Sequence, residues 1–280
     1  MAHIQRNPLE RWSRHLSKAA RLWVLNCTKS RRTRIANAHP ILLNSIPKAG
    51  THLVESMLES IPEMRGRLTK TLSCWDEVPT AVIRQLQSVR PDEYQLAHLP
   101  AHEELLSCVS QRGFKVLFIL RDPRDVVVSF VDYVLSIDQT HMAHSALVAL
   151  SSDAERLEAA IMGAGRGVPH IGTLLERFSG WQDYDDTLMV RYEDLVGEGK
   201  GGERATQLKT IAAILDHLNL GSDAQAGPIA ERLNRTESST FRAGNYKRWP
   251  DRLTPRHKDL LKEICGEWLI KYGYESSLDW

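Results

Sequence analysis

The stretch ILLNSIPKAGT, residues 41–51, decides the fold class. Its first six residues form a short apolar run that is typical of a buried β-strand, and residues 51–61 continue with apolar side chains at helical spacing. A strand that turns directly into a helix leaves the backbone amides of residues 49–52 free to surround an anion. Gly50 permits close approach of the backbone, and Lys48 adds a positive charge. The stretch therefore predicts a phosphate-binding turn.

The rest of the chain alternates between the two periodicities. Further strands are predicted at residues 94–97, 114–120 and 187–192. Helices are predicted at residues 101–111, from residue 123 onward, at 203–218 and at 255–272. Strands that alternate with helices favour an α/β fold with a mostly parallel sheet flanked by helices on both faces. Ligands of such folds bind beyond the carboxyl ends of the strands, so the loops there are where functional residues are expected.

A second candidate loop follows the most apolar strand. Arg121 opens the sequence RDPRDVVVS, which ends at Ser129. Asp122 is predicted to cap the helix that follows, with Pro123 at its first position. An arginine fork and a hydroxyl that converge on one point suit a phosphate group. The structural alternative is that Arg121 pairs with Asp122 or Asp125 and that Ser129 only fills a helix face.

The order of residues in the first loop bears on the chemistry. A Walker A loop reads G-x-x-x-x-G-K-[ST], with the lysine directly after the second glycine. Here Lys48 precedes Gly50, which disfavours ordinary ATPase chemistry. The structural alternative is a generic strand-to-helix turn with a surface lysine.

Composition excludes several classes of protein. The chain has 280 residues with 36 Lys and Arg against 35 Asp and Glu, so its near-neutral charge gives no support to a nucleic acid as the main partner. No apolar stretch is long enough to span a bilayer. The four cysteines are scattered and form no C-x-x-C pair, which favours reduced thiols over disulfides or a zinc site. A cytoplasmic location is therefore expected.

The first residues differ from the rest in charge. Residues 1–34 carry nine Lys and Arg and one acid, and apolar residues from Leu9 to Trp23 recur at helical spacing. The sequence therefore predicts a basic amphipathic segment at 1–38, followed by one domain at 39–280. Residues 7–34 are compatible with a weak peripheral contact with the inner membrane surface. We favour the alternative, in which the apolar stripe packs on the domain and the arginines face water.

Together these segments resemble the sulfotransferase family, whose donor is 3′-phosphoadenosine 5′-phosphosulfate (PAPS). Five stretches match the family in order: IPKAGT at 46–51, AHLP at 97–100, RDPRDVVVS at 121–129, VRYEDL at 190–195, and FRAG at 241–244 with Trp249 after it. The resemblance implies a three-layer architecture like that of P-loop NTPases. It also implies PAPS-dependent sulfuryl transfer to a hydroxyl or amine without a metal. The acceptor would be a small molecule, a glycan or a lipid.

The resemblance also implies roles for individual residues. It makes His98 the base that takes the proton of the acceptor, and Lys48 the cation at the bridging oxygen of the donor. The implied donor-binding residues are Lys48, Ala49, Gly50, Thr51, His52, Arg121, Ser129, Tyr192, Arg242, Ala243 and Gly244.

Three positions depart from the family pattern. Leu53 stands where many members have a tryptophan that stacks on adenine, which leaves Tyr192 or another side chain for that contact. Leu96 and Ala243 stand where lysines are common. Two other functions stay open at this point. One is a P-loop-type nucleotide-dependent kinase, and the other is a non-catalytic phospho-nucleotide-binding protein docked through its basic N-terminal helix.

Overall fold

The structure is a computed structural model that describes residues 38–165, 167–221, 225–235 and 247–280, together with Ala20. The predictions on the basic segment at 7–34 and on Arg242, Ala243 and Gly244 lie outside the described residues.

A parallel sheet organises the described part of the chain. Its strands are β1 (Ile41–Ser45), β2 (Arg65–Gly66), β3 (Leu72–Ser73), β4 (Glu93–His98), β5 (Lys115–Leu120) and β6 (Thr187–Arg191). Their order is β2-β4-β1-β5-β6, with β3 also paired to β4, and every pair is parallel. In the register of the central strand, Leu43 lies between Leu96 of β4 and Leu117 of β5.

Helices connect and cover the strands. The first six are α1 (Thr51–Ser60), α2 (Thr80–Gln87), α3 (Glu103–Gln111), α4 (Pro123–Ser136), α5 (His144–Val148) and α6 (Asp153–Met162). The next six are α7 (Ile171–Ser179), α8 (Tyr192–Leu195), α9 (Arg204–His217), α10 (Ala226–Arg235), α11 (Trp249–Arg252) and α12 (Pro255–Lys271). Short 3₁₀ helices lie at Gly180–Asp183 and Glu198–Lys200.

The core lies on the central strands. All of β1 is buried, and Val116, Leu117, Phe118 and Ile119 of β5 have no exposed surface. Both faces of these strands are covered, which is why their sequences are apolar without alternation. The predicted α/β class, with a mostly parallel sheet flanked by helices, is confirmed.

Most predicted elements are present with shifted ends. The strand predicted at 187–192 ends at Arg191, because Tyr192 already begins α8. The predicted Asp122 cap is confirmed, since its side chain accepts a hydrogen bond from the amide of Arg124 (2.9 Å). Strands β2 and β3 were not predicted, because they have two residues each and therefore show no periodicity.

Two other expectations concern the cysteines and membrane-spanning helices. Cys74, Cys108 and Cys265 are buried thiols outside any disulfide, as predicted, and Cys27 lies outside the described ranges. Within those ranges, no helix combines the length and the apolar character that a membrane span requires.

Candidate active site

Four of the predicted site residues that the structure describes lie at one edge of the sheet. The carboxyl ends of parallel strands lie at the same edge, and the site occupies the ends of β1, β4, β5 and β6. Lys48 follows β1, His98 ends β4, Arg121 follows β5 and Tyr192 follows β6. The central strand β1 has β4 on one side and β5 on the other, so the chain reverses its strand order at this point.

The turn after β1 is shaped by two left-handed residues, Lys48 (φ 71°) and Gly50 (φ 96°). A Cβ atom on Gly50 would lie 2.6 Å from Cε2 of Tyr192, so only glycine fits against this ring. Helix α1 begins directly afterwards, and the amides of Thr51 and His52 have no acceptor within the helix. The prediction that the Ala49 amide is also free is wrong. It donates to the carbonyl of Ile46 (3.1 Å), because the chain turns back on itself before α1 begins.

Lys48 extends from this turn towards α4. Its Nζ lies 3.6 Å from the centroid of the Tyr133 ring. Burial lowers the pKa of Lys48 to about 8, and the nearby Arg121 guanidinium acts in the same direction. The ammonium is therefore still mostly protonated at pH 7.

The side chain of His98 contacts Ser45, the last residue of β1. Its Nδ1 lies 3.0 Å from the carbonyl oxygen of Ser45 and 3.2 Å from the Ser45 hydroxyl. A carbonyl can only accept, so this contact assigns the proton to Nδ1 and the basic lone pair to Nε2. The Ser45 hydroxyl also lies 2.6 Å from the Thr51 hydroxyl, which links the histidine to the start of α1. Burial lowers the pKa of His98 to about 4, so the imidazole is neutral at pH 7.

Arg121 joins the two loops. Its Nη1 donates to the carbonyl of Lys48 (3.0 Å), and its guanidinium lies 4.7 Å from the centroid of the Tyr192 ring. The buried Nε has no partner among the described residues. Of the two alternative pairings, the one with Asp122 is not formed, whereas a long ion pair joins Nη2 of Arg121 to the Asp125 carboxylate (3.9 Å). Arg121 therefore keeps unused hydrogen-bonding capacity at the site.

Both acidic residues of the second loop also have partners other than Arg121. Nε and Nη2 of Arg124 donate to the Asp122 carboxylate at 2.7–3.1 Å. The Arg124 guanidinium also contacts the rings of Trp249 (4.0 Å to the centroid) and Trp280 (4.4 Å), which meet each other edge-on. Asp125 accepts from the backbone amides of residues 247–249 at 2.7–3.1 Å. This contact fixes the start of the chain that follows the predicted motif at 241–244.

Glu193 is a buried carboxylate that sequence analysis did not single out. It accepts hydrogen bonds from the Asp122 amide (3.0 Å) and from the Tyr274 hydroxyl (3.1 Å). Burial raises its pKa to about 7, against 4.5 for an ordinary glutamate. The only sequence signal was its place after a strand end next to Tyr192.

Three further residues that the sequence pointed to lie on α1 and α4. Ser129 is half-buried on α4, two turns beyond the start of that helix. His52 holds the buried Glu55 carboxylate through Nδ1 (2.9 Å). Leu53 lines a small recess, whose other walls include Leu195 and Leu233.

Two sets of hydrogen-bond donors lie at this edge of the sheet. Close to the turn are the amides that begin α1 and the Lys48 ammonium. Arg121, with a buried Nε that has no partner among the described residues, follows β5, and Ser129 is half-buried on α4. The described residues contain no cluster of three or more His, Cys, Asp or Glu suited to a metal ion.

Sequence comparison identifies known proteins that this chain resembles. Residues 38–273 match the family model described as the sulfotransferase domain. Human sulfotransferase 2B1 is 24% identical over 244 residues, which cover 81% of this chain and 60% of that protein. Rat sulfotransferase 2A2 is 24% identical over 253 residues, which cover 81% of this chain and 83% of that protein. The chain thus spans less than two thirds of the length of the first of these curated relatives.

Structure comparison gives the same fold. Mouse sulfotransferase SULT7A1, solved in complex with PAP, superposes with a TM-score of 0.61 at 21% identity, over 90% of this chain and 93% of that one. Retinol dehydratase, solved with androsterone and the inactive cofactor PAP, gives a TM-score of 0.55 at 16% identity, over 82% of this chain and 80% of that one.

Proposed function

The chain belongs to the sulfotransferase family, and from this premise we propose that it transfers a sulfuryl group from PAPS to a hydroxyl or amine of an acceptor. One observation carries the proposal: Lys48, Arg121 and Tyr192, from three different strand ends, meet around the Gly50 turn. The structures of the mouse sulfotransferase and of retinol dehydratase, which contain PAP, support the choice of donor.

The residues of the two loops would divide the donor between them. The amides of Thr51 and His52 and the Lys48 ammonium would hold the 5′-phosphosulfate, because a helix start and a cation both favour an anion. Arg121 and Ser129 would hold the 3′-phosphate, with Arg242 and Gly244 as further ligands. Tyr192, whose ring packs on Gly50, would contact the adenine in the absence of a tryptophan at Leu53.

Three groups would act on the reaction itself. When bound, PAPS supplies the sulfuryl group. Nε2 of His98 would take the proton of the acceptor, because Nδ1–H is committed to Ser45 and the imidazole is neutral at pH 7. Lys48 would stabilise the negative charge that develops on the bridging oxygen.

The acceptor is proposed to be a small molecule with a hydroxyl or amine, with a glycan or lipid headgroup as further possibilities. The androsterone in the retinol dehydratase structure supports the first of these. We propose a cytoplasmic location, because the four cysteines are scattered along the sequence and the three that the structure describes are free thiols. Family membership argues against the kinase, and the neutral, anchored His98 argues against a protein that only binds nucleotide.

The donor site is tested by thermal unfolding with 3′,5′-adenosine bisphosphate (PAP), AMP and ATP–magnesium. PAP at about a hundred times its dissociation constant should stabilise the protein by roughly 2.7 kcal/mol. Arg121→Ala should lose most of that stabilisation while any AMP effect is unchanged. Arg90→Ala, at an exposed position, is the control and should behave as wild type. Stabilisation by ATP–magnesium alone would overturn the proposal in favour of the kinase.

The base is tested by His98→Ala. Its turnover should fall by about 10²–10⁴-fold, whereas its PAP affinity should stay close to that of wild type. A His98→Ala protein that transfers sulfate at the normal rate would remove His98 from the mechanism.

A further inference from the structure

Tyr133 of α4 provides the surface on which the Lys48 ammonium rests. The Nζ of Lys48 lies 3.6 Å from the centroid of its ring, which is short for a cation on an aromatic face. No motif in the sequence pointed to Tyr133. It lies four residues after Ser129, so the two side chains share one face of α4. Lys48 thus reaches the helix face that also carries Ser129, a residue predicted to bind PAPS.

The ring of Tyr133 is itself held in place. Its hydroxyl donates to the Asp138 carboxylate (3.2 Å), just beyond the end of α4. The ring of His141 meets it edge-on, with 6.3 Å between centroids. These two contacts fix the direction in which the ring presents its face to Lys48.

The charges around Lys48 explain why an aromatic ring is a suitable partner for its ammonium. Arg121 donates to the Lys48 carbonyl, so a second cation lies close to the ammonium. Burial and this cation lower the pKa of Lys48, whereas the Asp138 carboxylate raises it. His98, at the end of β4, is neutral and adds no charge. A ring face stabilises an ammonium without placing a carboxylate beside the anion that the site is proposed to bind.

We propose that Tyr133 is a positioning residue for Lys48: its ring face holds the ammonium at the phosphate-binding turn, and Asp138 holds the ring. The inference rests on the proposed function only for the task that Lys48 performs at the bridging oxygen. The placement of the ammonium by Tyr133 can be tested without any ligand.

The test is an NMR titration of Lys48 in protein with ¹³C-labelled lysine, with Lys48→Arg to assign the signal. In Tyr133→Leu the titration midpoint should move to lower pH by roughly 0.4–1.5 pH units, the equivalent of one cation–π contact. Leucine keeps the site apolar, so loss of the ring face rather than hydration of the lysine decides the direction. Tyr133→Phe is the matched variant that keeps the ring face and loses only the hydrogen bond to Asp138, so its midpoint should lie between those of wild type and Tyr133→Leu.

A midpoint in Tyr133→Leu that equals or exceeds that of wild type would overturn the inference. Tyr133→Met provides a second apolar replacement if the leucine variant does not fold, and the same outcomes apply to it. PAP stabilisation of the wild type is measured in parallel. Failure of PAP to stabilise the wild type would count against the proposed function, whereas the titration still decides the role of Tyr133.

Discussion

Two neighbouring regions of this molecule are stabilised in different ways. The phosphate side, residues 45–52, 120–125 and 190–195, is held by buried charged groups, among which Asp122, Arg124 and Glu193 each expose less than a tenth of their surface. The outer segment, residues 137–168, packs on the main core through Leu157, Ala160 and Ile161, and its other buried residues, Ala143, Leu147 and Val168, form a small separate apolar cluster with Val134. It leaves several large apolar side chains exposed, namely Ile137, Met142, Val148 and Met162.

We propose that the difference reflects two ligands: the phosphate side would bind the donor, and the outer segment, with its exposed apolar side chains, would contribute to the acceptor site. A doubly charged donor is recognised by hydrogen-bond donors in fixed directions, and buried ionic networks fix directions well. An acceptor with an apolar body needs shape and apolar surface instead. The comparison therefore predicts that substitutions on the phosphate side affect stability and donor binding far more than substitutions in the outer segment.

The largest effect is expected from Arg124→Met. The substitution leaves the buried Asp122 carboxylate without its cation and should cost about 3–5 kcal/mol in free energy of unfolding. Arg156→Met is the matched change in the outer segment, where the guanidinium donates only to the carbonyls of Leu147 and Leu150. It should cost about 1–2 kcal/mol. Urea denaturation measures the free energy of unfolding of both variants, and equal losses would contradict the proposed difference between the two regions.

The second prediction concerns the pH dependence that Glu193 imposes. Its pKa is about 7 in the folded protein and 4.5 in an ordinary glutamate, so between these values the folded state binds more protons than the unfolded state. The stability that protonated Glu193 contributes is therefore complete below pH 4.5 and is lost as the pH rises to 7, by roughly 3 kcal/mol. Glu193→Gln should remove this decline.

Denaturation at several pH values between 4.5 and 8 measures the effect. Glu158→Gln is the control in the outer segment, because the Glu158 carboxylate pairs with Arg256 and its pKa is lowered. Its variant should keep the slope of the wild type across this window. A Glu193→Gln protein with that same slope would show that the buried carboxylate does not titrate there.

The comparison also explains what the sequence could and could not predict. The strands β1 and β5 are continuous apolar runs, and the Asp122–Pro123 cap is formed by neighbouring residues. These features could therefore be predicted from the sequence. The stretches around Lys48 and Arg121 were readable because a phosphate site needs particular residues at short spacing.

Contacts between residues far apart in the sequence could not be predicted. Arg124 bonds Glu275, which lies 151 residues away, and Tyr133 contacts Lys48 from a helix that follows a different strand. Whether the Ala49 amide is free or bonded to the Ile46 carbonyl depends on how tightly the turn folds back. In each case the determining contact is made by tertiary packing, and no local pattern encodes it.

The smallest effect is expected from Met142→Ser. Met142 is 66% exposed, and its Sδ would lie 3.1 Å from a Cβ placed on Gly167, so it rests on that glycine at the surface of the outer segment. Removing an exposed side chain of this kind should change the free energy of unfolding by less than about 0.5 kcal/mol. Thermal unfolding with and without PAP measures this stability and the stabilisation by PAP, which should equal that of wild type.

Val134→Ala is the matched change inside the same apolar cluster, where the side chain is fully buried. It should cost about 1–2 kcal/mol through lost apolar contact, and it should likewise leave the stabilisation by PAP unchanged. If Met142→Ser instead reduced that stabilisation as much as Arg121→Ala does, the outer segment would contribute to donor binding. The division between a charged region for the donor and an apolar region for the acceptor would then be wrong.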